Sequence, residues 1–128
     1  MLSDVRVLVV DDDEDAREIM ALMLRLWEAD VRVASSAAEG LSLLDEWSPH
    51  LVLSDVAMPG VSGDDLVRSI RHREASRGTP HLPVLAVSGH AMPEHRASAL
   101  AAGFDDHIVK PIVIERLRGA VMRLLGRA

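Results

Sequence analysis

Asp11, Asp12, Asp55, Ser88 and Lys110 have the strongest claim to chemistry, because each stands where an apolar run stops. In VLVVDDDED the four residues Val7 to Val10 give way to five acids, Asp11 to Asp15. Like charges about 4 Å apart repel by roughly 4 kcal/mol at an effective dielectric of about 20, so the cluster calls for a cation. In LVLSDVAMPGVSG the apolar run ends on Ser54 and Asp55, in VLAVSGHA on Ser88, and in HIVKP on Lys110 before Pro111. Carboxylates with no thiol beside them suit a hard cation. Magnesium takes one or two carboxylates, waters and a phosphate oxygen rather than a full protein cage.

These groups can act together only if a fold gathers the ends of the runs. Val5 to Val10 is a β-branched run of strand length, and Ala16, Ile19, Met20, Met23, Leu24 and Trp27 follow it at the spacing of one helix face. The unit repeats. Val31 to Ala34 precedes a helix carrying Ala37, Leu41 and Leu44; Leu51 to Leu53 precedes Leu66, Val67 and Ile70; Val84 to Val87 precedes Ala97, Leu100 and Ala101. Ile108 and Val109 then precede Val113, Leu117, Ala120, Val121 and Leu124. Apolar strands alternating with helices predict a parallel sheet covered on both faces, a doubly wound α/β domain with strand order 2-1-3-4-5, flavodoxin-like. Ser48-Pro49, Pro59-Gly60, Gly78-Thr79-Pro80 and Gly103 fall between units, where turns belong. In such a sheet the functional crevice lies beyond the carboxyl ends of the strands, which is where the candidate residues stand. Ser35 and Ser36, ending the second strand, read instead as a helix cap.

Composition narrows the function classes. A chain of 128 residues with 48% hydrophobic content predicts a single domain over residues 1–128 with one real core. It has no cysteine, hence no disulfide or thiolate site. A net charge of −6 and three aromatic side chains, Trp27, Trp47 and Phe104, argue against direct nucleic-acid contact. No apolar run is long enough for a membrane span, and MLSDVRV lacks the features of a secretory signal, so a cytoplasmic domain without membrane contact is expected. The basic cluster Arg68, Arg71, His72, Arg73 and Arg77 reads as a solvated helix face. His50, His72, His81, His90, His95 and His107 show no zinc-ligand spacing.

The motifs VLVVDDDED, LVLSDVAMPGVSG, VLAVSGHA and AGFDDHIVKP, in that order and over essentially the whole chain, closely resemble the receiver domain of two-component response regulators. The AGFDDHIVKP ending is especially similar to receivers attached to hybrid histidine kinases. The resemblance implies that Asp55 is the phosphoacceptor and that Asp11, Asp12, Asp55 and the backbone carbonyl of Ala57 hold Mg2+, Asp12 directly and Asp11 through water. It implies that Ser88 and Lys110 contact the phosphoryl group and that the Lys110–Pro111 bond is cis, aiming Lys110 into the site. A histidine kinase or histidine phosphotransfer protein would be the donor, and a downstream protein would bind helix 4, strand 5 and helix 5. The domain would be a signalling switch, not an enzyme beyond its own phosphorylation and dephosphorylation.

One departure stands out. The family commonly has Tyr or Phe three residues before the lysine, turning inward when the Ser or Thr moves; this chain has His107 there. Ser88 and His107 are therefore the switch residues to examine, and an imidazole could make switching sensitive to pH. Gly89 stands where the family often has Ala.

Two other function classes compete. Asp11-x-Asp13 after a strand imitates the nucleophile and acid of haloacid-dehalogenase-type phosphatases, but the acidic pair Asp105-Asp106 precedes Lys110 where that family's follows its lysine, and the chain has no room for a cap. A pseudo-receiver that only binds partners is disfavoured by intact Asp12, Asp55 and Lys110. Asp13, Glu14 and Asp15 also suit a helix N-terminus.

Overall fold

The computed structural model describes residues 1–58, 60–89 and 92–127, so Pro59 and His90 lie outside the described residues. Five strands, β1 (Arg6–Val10), β2 (Asp30–Ala34), β3 (Leu51–Asp55), β4 (Val84–Ser88) and β5 (Asp106–Val109), alternate with five helices, α1 (Glu14–Leu26), α2 (Ala37–Trp47), α3 (Gly63–Arg77), α4 (Pro93–Ala102) and α5 (Ile114–Leu124). The strands form one parallel sheet in the order β2-β1-β3-β4-β5, as the sequence predicts.

Two apolar layers explain why the strands read as continuous runs. Val7 and Val9 of β1, Leu51 and Leu53 of β3, and Leu85 and Val87 of β4 pack under Met20 and Leu24 of α1 and Leu117, Ala120 and Val121 of α5. Leu8, Val10, Val52, Val84 and Ala86 face the other way, against Leu66, Val67 and Ile70 of α3 and Ala99 and Ala102 of α4. Alternate side chains of β1, β3 and β4 thus serve opposite layers and read as apolar runs, whereas the edge strands β2 and β5 carry Arg32 and Asp106–His107 within them.

Side-chain caps set the helix starts near the crevice. Asp13 accepts from Asp15 N–H at 3.3 Å at the start of α1, and Ser36 accepts from Glu39 N–H at 3.2 Å at the start of α2. Ser62 and Asp65 form a reciprocal capping box that begins α3. Asp13 therefore serves the helix, and Glu14 and Asp15 lie in its first turn.

Three expectations about side-chain placement are corrected. Ile19 is 49% exposed rather than core, because Met20, Ala21 and Leu24 carry the buried face of α1. In α4 the inward residues are Ala99 and Ala102, while Ala97, Leu100 and Ala101 face outward, Leu100 at 39% exposure. An alanine-rich helix has several weakly apolar rows, and packing on Phe104 and β4, rather than the pattern itself, chooses between them. Val113 precedes α5 as its N-cap residue and is exposed.

The basic cluster is also not uniformly a solvated face. Arg71 is half-buried and donates to Glu74, Asp105 and the carbonyls of Leu82 and Gly103, tying α3 to the segments that lead into β4 and β5. Arg73 and Arg77 both reach Asp45 on α2, at 3.1 and 3.0 Å.

Candidate functional site

Parallel strands deliver their last residues to one edge, and the register fixes which ones meet. Val10 pairs with Ser54 across β1 and β3, Asp55 with Val87 across β3 and β4, and Ser88 with Val109 across β4 and β5. Asp11, Asp55, Ser88 and Lys110 thus come within one or two residues of a common line.

Asp11 is fully buried, and its Oδ1 accepts from the Asp13 N–H at 2.9 Å. Its Oδ2 lies 3.0 Å from Lys110 Nζ, which stands 3.6 Å from Asp55 Oδ2. Asp55 is 6% exposed and accepts from the Ala57 N–H at 3.3 Å through Oδ1. Asp12 is exposed, yet one carboxylate oxygen from each of Asp11, Asp12 and Asp55 lies within 4.8 Å of the others. Among the described residues this is the only cluster of three or more His, Cys, Asp and Glu side chains close enough to share an ion.

Burial, and next the neighbouring Asp11 charge, push Asp55 up to about 6; Lys110 and the Ala57 N–H act against that rise. Burial works against the charged form of Lys110 too, but Asp11 and Asp55 outweigh it and hold the ammonium above the ordinary lysine value. One lysine faces three carboxylates, so the pocket carries surplus negative charge. Oxygen-only donors crowded by like charge fit a hard divalent cation. Ser88 is buried at the end of β4, and its carbonyl accepts from the Lys110 N–H at 2.7 Å. The Lys110–Pro111 bond is cis, as expected. Of the expected site residues, Asp11, Asp12, Asp55 and Lys110 converge, and Ser88 ends the adjoining strand.

The chain matches the family model of the response regulator receiver domain over residues 7–122. The chain belongs to this family. Among relatives of the receiver, an uncharacterised 14.6 kDa protein from the sodA1 3′ region of Leptolyngbya boryana is 42% identical over 87% of this chain and 82% of its own length. The sensor protein GacS of Pseudomonas syringae pv. syringae is 33% identical over 96% of this chain, which spans 14% of GacS. The transcriptional regulatory protein PrrA of Mycobacterium leprae is 35% identical over 98% of this chain and 52% of PrrA. The Francisella response regulator 1452 receiver domain superposes with a TM-score of 0.85 at 26% identity, covering 95% of this chain and 97% of that one. This receiver thus resembles both regulators and a sensor kinase of two-component signalling. No helix among its described residues is long and apolar enough to cross a membrane.

Two residues essential to the receiver's geometry escape a reading of motifs. Gly63, the first residue of α3, lies so close to Asp55 that a Cβ built on it falls 2.0 Å from the Asp55 carbonyl oxygen and 2.9 Å from Val56 Cα. Its N–H donates to the Val56 carbonyl at 2.9 Å. The SG of VSG marks a helix start, but nothing local says that the preceding strand presses on it. Gly63→Ala should therefore displace the Asp55–Ala57 backbone and lower stability by about 1–3 kcal/mol in urea unfolding, as overpacking typically does. Gly89→Ala, whose Cβ meets nothing within 4 Å, is the matched control. Equal stability of the two variants would remove Gly63 from the site's support.

The second is Asp106. It is buried on β5 and accepts from Arg96 of α4 at 2.7 Å and from Arg123 of α5 at 3.0 Å. Burial alone would raise its pKa, but Arg123, the His107 N–H and Arg96 together hold it below the usual carboxylate range. One side chain thus joins the three elements of the expected partner face. The arginines lie ten residues before it and seventeen after, so only the folded edge of the sheet brings them to one carboxylate.

Proposed function

We propose that this receiver is a phosphoacceptor switch whose Asp55 takes a phosphoryl group from a phosphohistidine of a histidine kinase or histidine phosphotransfer protein. The observation that carries the reading is the Asp55 carboxylate, held at the rim with two further carboxylates and with the Lys110 ammonium 3.6 Å away. Asp11, Asp12, Asp55 and the Ala57 carbonyl would hold magnesium, which when bound supplies positive charge opposite the phosphoryl oxygens.

Phosphoryl transfer asks the protein mainly to position groups and to offset charge. An Asp55 carboxylate oxygen forms the new bond to phosphorus as the phosphorus–nitrogen bond to the donor imidazole breaks, leaving an acyl phosphate that water later hydrolyses. Lys110 Nζ offers its charge to the phosphoryl oxygens, and the Ser88 hydroxyl offers a hydrogen bond. Ile19 and Leu22 on α1, with Val113 and Ile114 beside the start of α5, are exposed apolar side chains on the helices flanking the rim and give the donor a surface to meet. A phosphoryl group adds about −1.5 to −2 charge, which Ser88 and His107 would relay to a downstream protein on α4, β5 and α5. The reading treats residues 1–128 as one such unit, working in the cytoplasm.

The test is incubation with a small acyl-phosphate donor and magnesium, followed by mass spectrometry. One phosphoryl group per chain on Asp55 is expected, and none without magnesium. Labelling on Asp11 or Asp13 instead would favour phosphatase-like chemistry.

Lys110 separates the two parts of the site. Lys110→Ala should keep magnesium affinity within about threefold of the original, or tighten it, because a competing cation leaves; its phosphorylated form should fail to shift α4 signals in NMR spectra. Calorimetry is the suitable measure of metal binding, since Trp27 and Trp47 belong to the end of α1 and to α2, away from the rim. A loss of magnesium affinity as deep as that from Asp12→Ala would overturn this division of roles.

A further inference from the structure

β5 is the last strand of the sheet, so its outer backbone groups have no neighbouring strand. At His107 both are satisfied by side chains: its N–H donates to Asp106 Oδ1 at 2.8 Å, and its carbonyl accepts from Arg96 of α4 at 3.3 Å. Arg96 also grips Asp106, so one arginine fastens α4 to two consecutive residues of the edge strand. Beside that clasp the His107 ring is buried at 8% exposure, and its Nε2 has no hydrogen-bond partner among the described residues. A buried, unsatisfied ring nitrogen is a poor place for a second proton.

We propose that His107 is a proton-controlled latch: charging its imidazole drives the ring out of the seam between β5 and α4, loosens the Arg96 clasp and makes the α4–β5–α5 face sensitive to acid.

The surroundings of the ring support this. From α4 come Arg96 and His95, both of which oppose a positive imidazole; from β5 comes Asp106, which favours one but is already shared by Arg96 and by Arg123 of α5. β4 brings Ala86 in register and has no titratable side chain. Burial above all, then Arg96, lower the His107 pKa from the ordinary 6.5, with Asp106 partly countering. A base held below its ordinary pKa is at ease at high pH. The closed seam is thus fully stable above pH 6.5 and loses stability as pH falls from there toward the lowered value. An outward ring escapes that penalty, so acid shifts the population outward, by at most tenfold per pH unit for one proton. By reciprocity, a partner that requires α4 closed must bind less tightly in acid, by the same factor.

The experiment needs no phosphoryl group, so its failure is distinguishable from failure of the Asp55 assignment. NMR spectra of the unphosphorylated protein are recorded from pH 8 to pH 5, following the His107 ring and the α4 backbone amides. The ring should titrate with a midpoint below 6.5, and the α4 amides should move with that same midpoint. His107→Phe, or His107→Gln if the ring is not accommodated, should abolish the α4 transition, whereas His95→Gln should keep it with the His107 midpoint raised. A midpoint at or above 6.5, an α4 transition that survives in both His107 variants, or one abolished only by His95→Gln would each overturn the proposal.

Discussion

Asp55→Asn is expected to end phosphate uptake entirely while leaving a folded protein that is more stable than the original in metal-free buffer at neutral pH. The first half follows from chemistry, since an amide cannot supply the attacking carboxylate oxygen. The second half follows from charge. Burial and the Asp11 carboxylate push Asp55 up to about 6, so above that value the fold carries an ionised group that the unfolded chain holds more easily. A raised carboxylate pKa means stability that is complete below about 3.8, falls as pH rises through about 6, and stays low beyond. Removing the charge should recover about 1–3 kcal/mol at pH 7, given that one pKa unit corresponds to about 1.4 kcal/mol and that Lys110 loses a partner. Urea unfolding at pH 5 and pH 8 measures it: the gain of the variant over the original should be larger at pH 8. Stoichiometric labelling of Asp55→Asn would end the assignment of Asp55, and an equal or reversed stability difference would mean that the pocket's like charges are already balanced.

The next largest effect concerns neighbours of identical type. Asp12→Ala should weaken magnesium binding at least tenfold, because a charged oxygen of the three-carboxylate cluster disappears. Asp13→Ala should leave binding nearly unchanged and cost about 1 kcal/mol of folding stability, because Asp13 caps α1 through the Asp15 N–H. Calorimetry with magnesium and thermal melting of both variants resolve the two roles. If both variants lost affinity equally, the roles of Asp12 and Asp13 along DDD would be misassigned.

Much of this architecture is legible in the sequence because each unit announces itself. β3 and β4 are buried at every residue, and such strands leave an apolar run ending at its first functional side chain. Asp11, Asp55, Ser88 and Lys110 were legible for that reason. Contacts between units were not. Gly63 matters because it touches the backbone of Asp55, Asp106 because α4 and α5 each send an arginine to the edge of the sheet, and Arg71 because Leu82, Gly103 and Asp105, all from other segments, join Glu74 of its own helix around it. Local pattern carries no information about who arrives from elsewhere. The phase of α4 was lost for a related reason, since rows of alanine differ too little to choose a face by themselves.

The clasp of Asp106 and Arg96 over His107 has a consequence for solubility. An open edge strand is a template on which another molecule's strand can be laid, and long, flat, unguarded edges invite fibres. Here the middle of β5 presents neither a vacant N–H nor a vacant carbonyl at His107, because both are taken by side chains of the same molecule. At His107 a second chain would have to displace an ion pair before adding a hydrogen bond. The residue that fastens α4 therefore also keeps the sheet at five strands, and variants lacking Arg96 should be the ones that crowd together in concentrated solution.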